Sequence, residues 1–289
     1  MTNFVHKLAA TVEKNDSLVC VGLDPVLNRL PAGLGQNAAG VIEFNQRLIE
    51  ATSDLVSVYK PNYAFYGALG ADAWDTLAKT LEAIPDDIPV LLDAKVGDIG
   101  STAEQWAHMI FDKIGADAVT VNPYMGKDAL DPFLSYADRG VFFVCHTSNP
   151  GAADFERLDT PEGPVYEHVA RKAVEWNDHG NCGLVVGATQ ADSMIRMRSL
   201  APDLPFLVPG VGSQGGDLEH AVGDGLRDDG QGVYVNSSRS IIFASAGGDY
   251  PEAARAATQQ LRQQINDVRI SRLRTSSLRT SSRGVAQSG

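Results

Sequence analysis

Eight short apolar runs of strand character return along the chain, and this repetition limits the fold more than any other feature. They are SLVCVGLD (17–24), LVSVYKPN (55–62), PVLLDAK (89–95), DAVTVNP (117–123), GVFFVCHTS (140–148), CGLVVGAT (182–189), PFLVPGVG (205–212) and GVYVNSS (232–238). Most are continuous rather than alternating, as strands covered on both faces read. Helical spacing fills the gaps. Ala103, Trp106, Ala107, Ile110, Phe111 and Ile114 form one stripe, opened by Ser101 and Glu104 at capping-box spacing. Val41, Phe44, Leu48 and Leu55 form another. Eight strands alternating with helices over about 250 residues predict an α/β fold, a (β/α)8 TIM barrel in a single domain. A doubly wound open sheet is the other arrangement; the count of eight and the absence of GxGxxG after the first strand speak against it.

The barrel is expected to occupy residues 1–267. Beyond it, LRTSS at 273–277 recurs at 278–282, and the segment 268–289 carries five Arg and no acid. Such a basic, Ser- and Arg-rich stretch is expected to be a low-complexity, disordered tail. The other 19 Lys and Arg face all 36 acids in the body, which is therefore strongly acidic. An acidic body repels a polynucleotide backbone, so nucleic acid is not an expected partner. No apolar run approaches the ~18 residues that span a bilayer, and the N-terminus has no signal-like apolar core. The three cysteines Cys20, Cys145 and Cys182 each sit in an apolar run, which reads as packing in a reducing, cytoplasmic compartment. The six histidines show neither HxxxH nor HExxH, so no dedicated transition-metal site is expected. His146, near a strand end, reads as packing or as support for the site.

In a barrel of this kind the active site lies at the C-terminal strand ends, and here those ends are polar. The first ends in Asp24, the second in Lys60, and the third in Asp93 and Lys95, with Asp98 in the following turn. The fifth ends in Thr147 and Ser148, the seventh runs into Gln214 and the eighth into Arg239. A helix cap or surface ion pair explains any one of these, but not the recurrence at one end of several strands. Asp93 and Lys95 are two apart on a strand and so point to one side. Lys60 and Asp98 could extend them into an alternating row of charges. A lysine between carboxylates keeps its proton, which suits a proton donor and not an imine-forming amine. The glycine-rich run 209–216, PGVGSQGG, followed by Arg239 before IIFASA, has the character of a phosphate site built from backbone N–H groups and a helix start.

In order along the chain, Gly22-Leu23-Asp24, Lys60-Pro61-Asn62, Asp93-Ala94-Lys95-Val96-Gly97-Asp98-Ile99, Thr147-Ser148-Asn149-Pro150-Gly151, PGVGSQGG and Arg239 resemble the orotidine 5′-phosphate decarboxylase family. The D-x-K-x-x-D motif alone is shared with related barrels; the ordered set is far more specific. The resemblance implies cofactor-free decarboxylation of orotidine 5′-phosphate to uridine 5′-phosphate. It implies that Lys95 protonates the ring carbon, with Asp93 beside the departing carboxylate and Asp98 supplied by the neighbouring subunit of a homodimer. It further implies that Asp24 and Lys60 hold the ribose and that Thr102 reaches it across the dimer interface. Ser148 would read the pyrimidine, Gln214 bridge base and phosphate, and Arg239 grip the phosphate. With Gly100-Ser101 and Ser148-Asn149-Pro150 the chain resembles the longer branch of the family. The Gly- and Asp-rich stretch from Val211 to about Gly232 is expected to be a lid, and no second domain for the preceding phosphoribosyl transfer is expected.

Two other functions fit parts of this pattern. A Mg²⁺-dependent sugar-phosphate lyase on the same barrel would use the carboxylates as metal ligands. A catalytically silent nucleotide-binding protein would keep the phosphate site alone.

Overall fold

The computed structural model describes residues 3–188, 191–211 and 217–285. All eight expected runs form strands: β1 (Val19–Leu23), β2 (Val58–Pro61), β3 (Leu91–Val96), β4 (Ala118–Val121), β5 (Gly140–His146), β6 (Cys182–Val186), β7 (Phe206–Pro209) and β8 (Val233–Ser237). They pair in parallel in the order β2-β1-β8-β7-β6-β5-β4-β3. Single bridges from Tyr59 to Val90 and from Asn62 to Asp93 bring β2 back towards β3, so the barrel is nearly closed. Every residue of β1, β2, β4 and β6 is buried, which is why their sequences run apolar without alternation.

The helix Phe4–Asn15 packs at the N-terminal end of the barrel, capped by Asn3, whose side chain accepts from the Val5 N–H at 2.7 Å. Its Phe4 meets Phe142 of β5 edge-on at 5.8 Å. Gly140 makes this possible, because a Cβ there would stand 2.6 Å from the Phe4 ring.

Three local expectations change. The helix carrying the Ala103 stripe starts at Gly100 with Ile99 as its cap, and no side chain caps it. Ser101 therefore lies inside the helix, not at a capping box. That helix ends at His108 and a wider π turn, Met109–Ile114, carries the stripe onward. The helix Ala38–Thr52 buries Val41, Phe44 and Leu48 as expected, but Leu55 is buried from the loop beyond it.

The last helix runs from Tyr250 to Val285, so the expected boundary at residue 267 falls within one helix. Regular structure, not a coil, follows it. Val268 packs against the core, and Arg269 pairs with Asp16 at 3.0 Å. Among the described residues no helix is long and apolar enough to cross a membrane. The three cysteines are free and buried. Burial pushes the Cys20 and Cys182 thiols up to about 12, which suits packing and not nucleophilic chemistry.

Candidate active site

The polar strand ends converge on a cavity of about 640 Å³ lined by Lys60, Asp93, Lys95, Ser148, Asn236 and their neighbours. A larger cavity, about 710 Å³, lies on the flank beside Ser240, Gln260 and Gln264. Its described lining holds Asp217, Glu219 and Asp267 but no lysine or arginine. The chemistry belongs to the smaller cavity.

Asp93 is the hub. Its Oδ2 accepts from Lys60 Nζ at 3.0 Å and Asn62 Nδ2 at 3.1 Å. Its Oδ1 accepts from Lys95 Nζ at 2.5 Å and Thr120 Oγ1 at 2.9 Å. Burial alone would raise this carboxyl; Lys60 and then Lys95 reverse that and hold it well below the usual carboxylate range. Lys60, only 3% exposed, sits between Asp93 and Asp24, whose Oδ1 is 3.9 Å away. Burial penalises its charge, yet Asp93 and Asp24 together outweigh that and raise its pKa. Asp24 also accepts from the Asn62 N–H at 3.2 Å, which ties the β1 exit to the β2 exit.

Lys95 reaches the cavity by a route the sequence does not show. The β3–β4 register shifts between Leu92 and Val96, and Lys95 has a φ of 48°, in the left-handed region that side chains rarely adopt. Thr120 of β4 holds this bulge. Its hydroxyl oxygen accepts both the Ala94 and the Lys95 N–H at 3.0 Å while donating to Asp93. Thr120 is fully buried and was not among the expected site residues; one Thr in an apolar strand carries no signal of its role. Asn62 was visible in the Lys-Pro-Asn motif, but without a role.

Thr120→Val is expected to leave two strand N–H groups and one Asp93 oxygen short of a partner. That costs roughly 1–3 kcal/mol of stability. Displacing Lys95 should also lower turnover, by about ten- to a hundredfold. Urea unfolding and steady-state rates check both, and unchanged values would show that Thr120 does not set the bulge.

Ser148 lines the cavity from the β5 exit. It lies so close to β6 that a Cβ on Gly187 would come within 2.8 Å of its backbone nitrogen. Four expected residues are not part of the cavity lining: Asp24 stands behind Lys60, and Asp98, Thr102 and Arg239 lie elsewhere. Asp98 half-buries itself at the next helix, its Oδ1 accepting the Ile99 N–H at 2.8 Å; among the described residues it makes no ion pair with Lys95. Thr102 is exposed on the helix that follows, and Arg239 is exposed at the first position of the short helix Arg239–Ile242. Gln214 lies outside the described residues. Of the expected lid, the described part contains a helix, Leu218–Gly223, capped by Asp217.

Comparison with known proteins settles the family. The model of the orotidine 5′-phosphate decarboxylase / HUMPS family matches residues 17–257. This chain belongs to that family. It is 50% identical over 258 residues to the orotidine 5′-phosphate decarboxylase of Herpetosiphon aurantiacus, covering 89% of this chain and 95% of that one. It is 48% identical over 270 residues to that of Thermomicrobium roseum, covering 92% and 96%. Among solved structures, the OMP decarboxylase of Leishmania donovani superposes with a TM-score of 0.84 at 41% identity, over 93% of this chain and all of the other. The UMP synthase of the same organism gives 0.85 at 42%, with this chain spanning 57% of its length. The two solved structures thus share the fold described above.

Proposed function

We propose that this chain is a carboxy-lyase that converts orotidine 5′-phosphate to uridine 5′-phosphate without a cofactor, with Lys95 as the proton donor. The observation that carries the reading is the saturation of Asp93 by four donors, two of them ammonium groups, at the floor of a cavity open to Lys95.

Breaking the ring–carboxylate bond releases carbon dioxide and leaves an electron pair on a ring carbon with no adjacent electron sink. The site must stabilise that charge and protonate it. The Lys95 side chain is 45% exposed, so its ammonium faces the cavity while Asp93 orients it. It gives its proton to the ring carbon and is reprotonated from solvent. At ~4 Å and an effective dielectric near 20 one ammonium contributes about 4 kcal/mol, roughly a thousandfold in rate. Binding energy at the remote phosphate, through Arg239 and the glycine-rich loop with Gln214, supplies more by holding the ring in place. Asp24 and Lys60 hold the ribose and Ser148 reads the pyrimidine.

The same arrangement disfavours the sugar-phosphate lyase. Metal-binding carboxylates need open lone pairs, and both Asp93 oxygens already carry two protein donors. A homodimer in a cytoplasmic setting completes the reading. Neither Asp98 nor Thr102 lines its own cavity, and Ile99, Tyr124 and Met125, in the turns after β3 and β4, are exposed apolar residues. A partner covering that patch would receive both residues.

Two arms of one experiment test this. In chelator-treated buffer, orotidine 5′-phosphate should yield carbon dioxide and uridine 5′-phosphate in equal amounts; turnover only of a hexulose phosphate, and only with Mg²⁺, contradicts it. Mixing Lys95→Ala with Asp98→Ala protein should restore activity that neither has alone. Failure of that rescue removes the shared site.

A further inference from the structure

The segment between β5 and the helix Val165–Glu175 is longer than a connection needs, and the active-site reading gives it no task. It folds into a short 3-10 turn, Pro150–Asp154, and a two-stranded hairpin pairing Asp159–Thr160 with Gly163–Pro164. From Ala153 to Thr160 all side chains are exposed except Glu156, which turns inward. We propose that Glu156 is a positioning residue for the decarboxylation, fixing the β5 exit so that Ser148 meets the pyrimidine. The inference rests on the reading of Ser148 given above.

The geometry is that of a two-point grip. Glu156 Oε2 accepts the Thr147 N–H and Oε1 accepts the Thr147 hydroxyl, both at 2.7 Å. Thr147 precedes Ser148, and both line the cavity with Lys60, Asp93 and Lys95. The Thr147 N–H lies just beyond β5, where the ladder to β6 gives out after the Gly187 N–H bonds to the His146 carbonyl at 2.7 Å. A carboxylate accepting a backbone N–H forms a stronger bond than a neutral acceptor. It is therefore well suited to holding a strand end just beyond its last described ladder bond.

The grip itself is braced from both sides. Glu156 N–H bonds to the Ala152 carbonyl at 2.9 Å, and its carbonyl accepts the Tyr166 N–H at 2.8 Å. One residue on, Arg157 Nε donates to His146 Nε2 at 3.3 Å. That requires the His146 proton on Nδ1, which faces Ser193 Oγ at 3.1 Å. The imidazole stacks on Tyr166 at 4.1 Å, with the rings 3° from parallel. So the segment locks onto two successive residues of the β5 exit, His146 and Thr147. Ser148, third in line, is pressed against Gly187 on its other side. Movement of the grip moves Ser148.

The test uses Glu156→Ala, Glu156→Gln and Ser148→Ala, each as full-length protein with orotidine 5′-phosphate. Glu156→Ala should lower kcat/KM by about ten- to a hundredfold, the cost of misplacing a substrate contact by around an ångström. Glu156→Gln keeps one acceptor for the Thr147 N–H and should recover much of the loss, and it carries the test if the alanine variant fails to fold. The double variant Ser148→Ala/Glu156→Ala should be no slower than Ser148→Ala alone, because Glu156 acts through Ser148. A purely structural role would lower Tm while leaving kcat/KM of the folded protein unchanged, and that result overturns the proposal. Strictly multiplicative losses overturn it too. If Ser148→Ala itself has no effect, the reading of Ser148 fails instead, and the two failures are thereby told apart.

Discussion

Lys60→Met should destabilise the protein by about 3–5 kcal/mol, the usual cost of stripping one partner from a buried ion pair. Lys60 is 3% exposed, and the carboxylates it separates, Asp93 and Asp24, are 7% and 9% exposed. Without the ammonium, two buried acids share one low-dielectric pocket, and Asp93 loses the cation that most lowers its pKa. Neither acid has solvent to turn to. The double variant Lys60→Met/Asp93→Leu removes both charges and should regain part of the stability, since an apolar pair of similar volume often does as well as a buried salt bridge. It should remain inactive. Urea unfolding of the two variants measures this, and a Lys60→Met protein as stable as wild type would show that the pair is not held as described.

The second large effect is on rate alone. Lys95→Ala should lower turnover by at least about a thousandfold, the share assigned to one ammonium near the developing charge. Its stability should change little, because the Lys95 side chain is 45% exposed and Asp93 keeps Lys60, Asn62 and Thr120. Affinity for uridine 5′-phosphate should stay within about tenfold of wild type, since the proposed contacts to ribose, base and phosphate come from other residues. Calorimetric titration with the nucleotide and a rate assay separate the two. A matched loss of affinity and rate would make Lys95 a binding residue instead of a proton donor.

The barrel was legible because burial on both faces leaves a simple trace, uninterrupted apolar runs such as AVTV in β4. The charges at the strand ends were legible for the same reason: they interrupt those runs at one end only. What escaped was everything that depends on one element leaning on another. Thr120 looks like any β-branched strand residue until β3 bulges across it. The left-handed backbone of Lys95 has no marker, because lysine is not a residue that favours it. Glu156 sits in a polar loop where an acid needs no explanation. The pairing of Ser101 with Glu104 suggested a cap, but the chain enters the helix one residue sooner, at Gly100 with a φ of 55°. The repeated LRTSS carried the composition of a coil, whereas a helix begun at Tyr250 by apolar packing continues through it to Val285.

The central claim is that Lys95, oriented by Asp93 over the cavity, protonates the ring after carbon dioxide leaves. Carbon dioxide release from orotidine 5′-phosphate by wild-type and Lys95→Ala protein, side by side in chelator, tests it most directly. Chelator-resistant release that collapses in the variant is the result predicted. Equal release by both proteins, or release by wild type only when Mg²⁺ is restored, would contradict it.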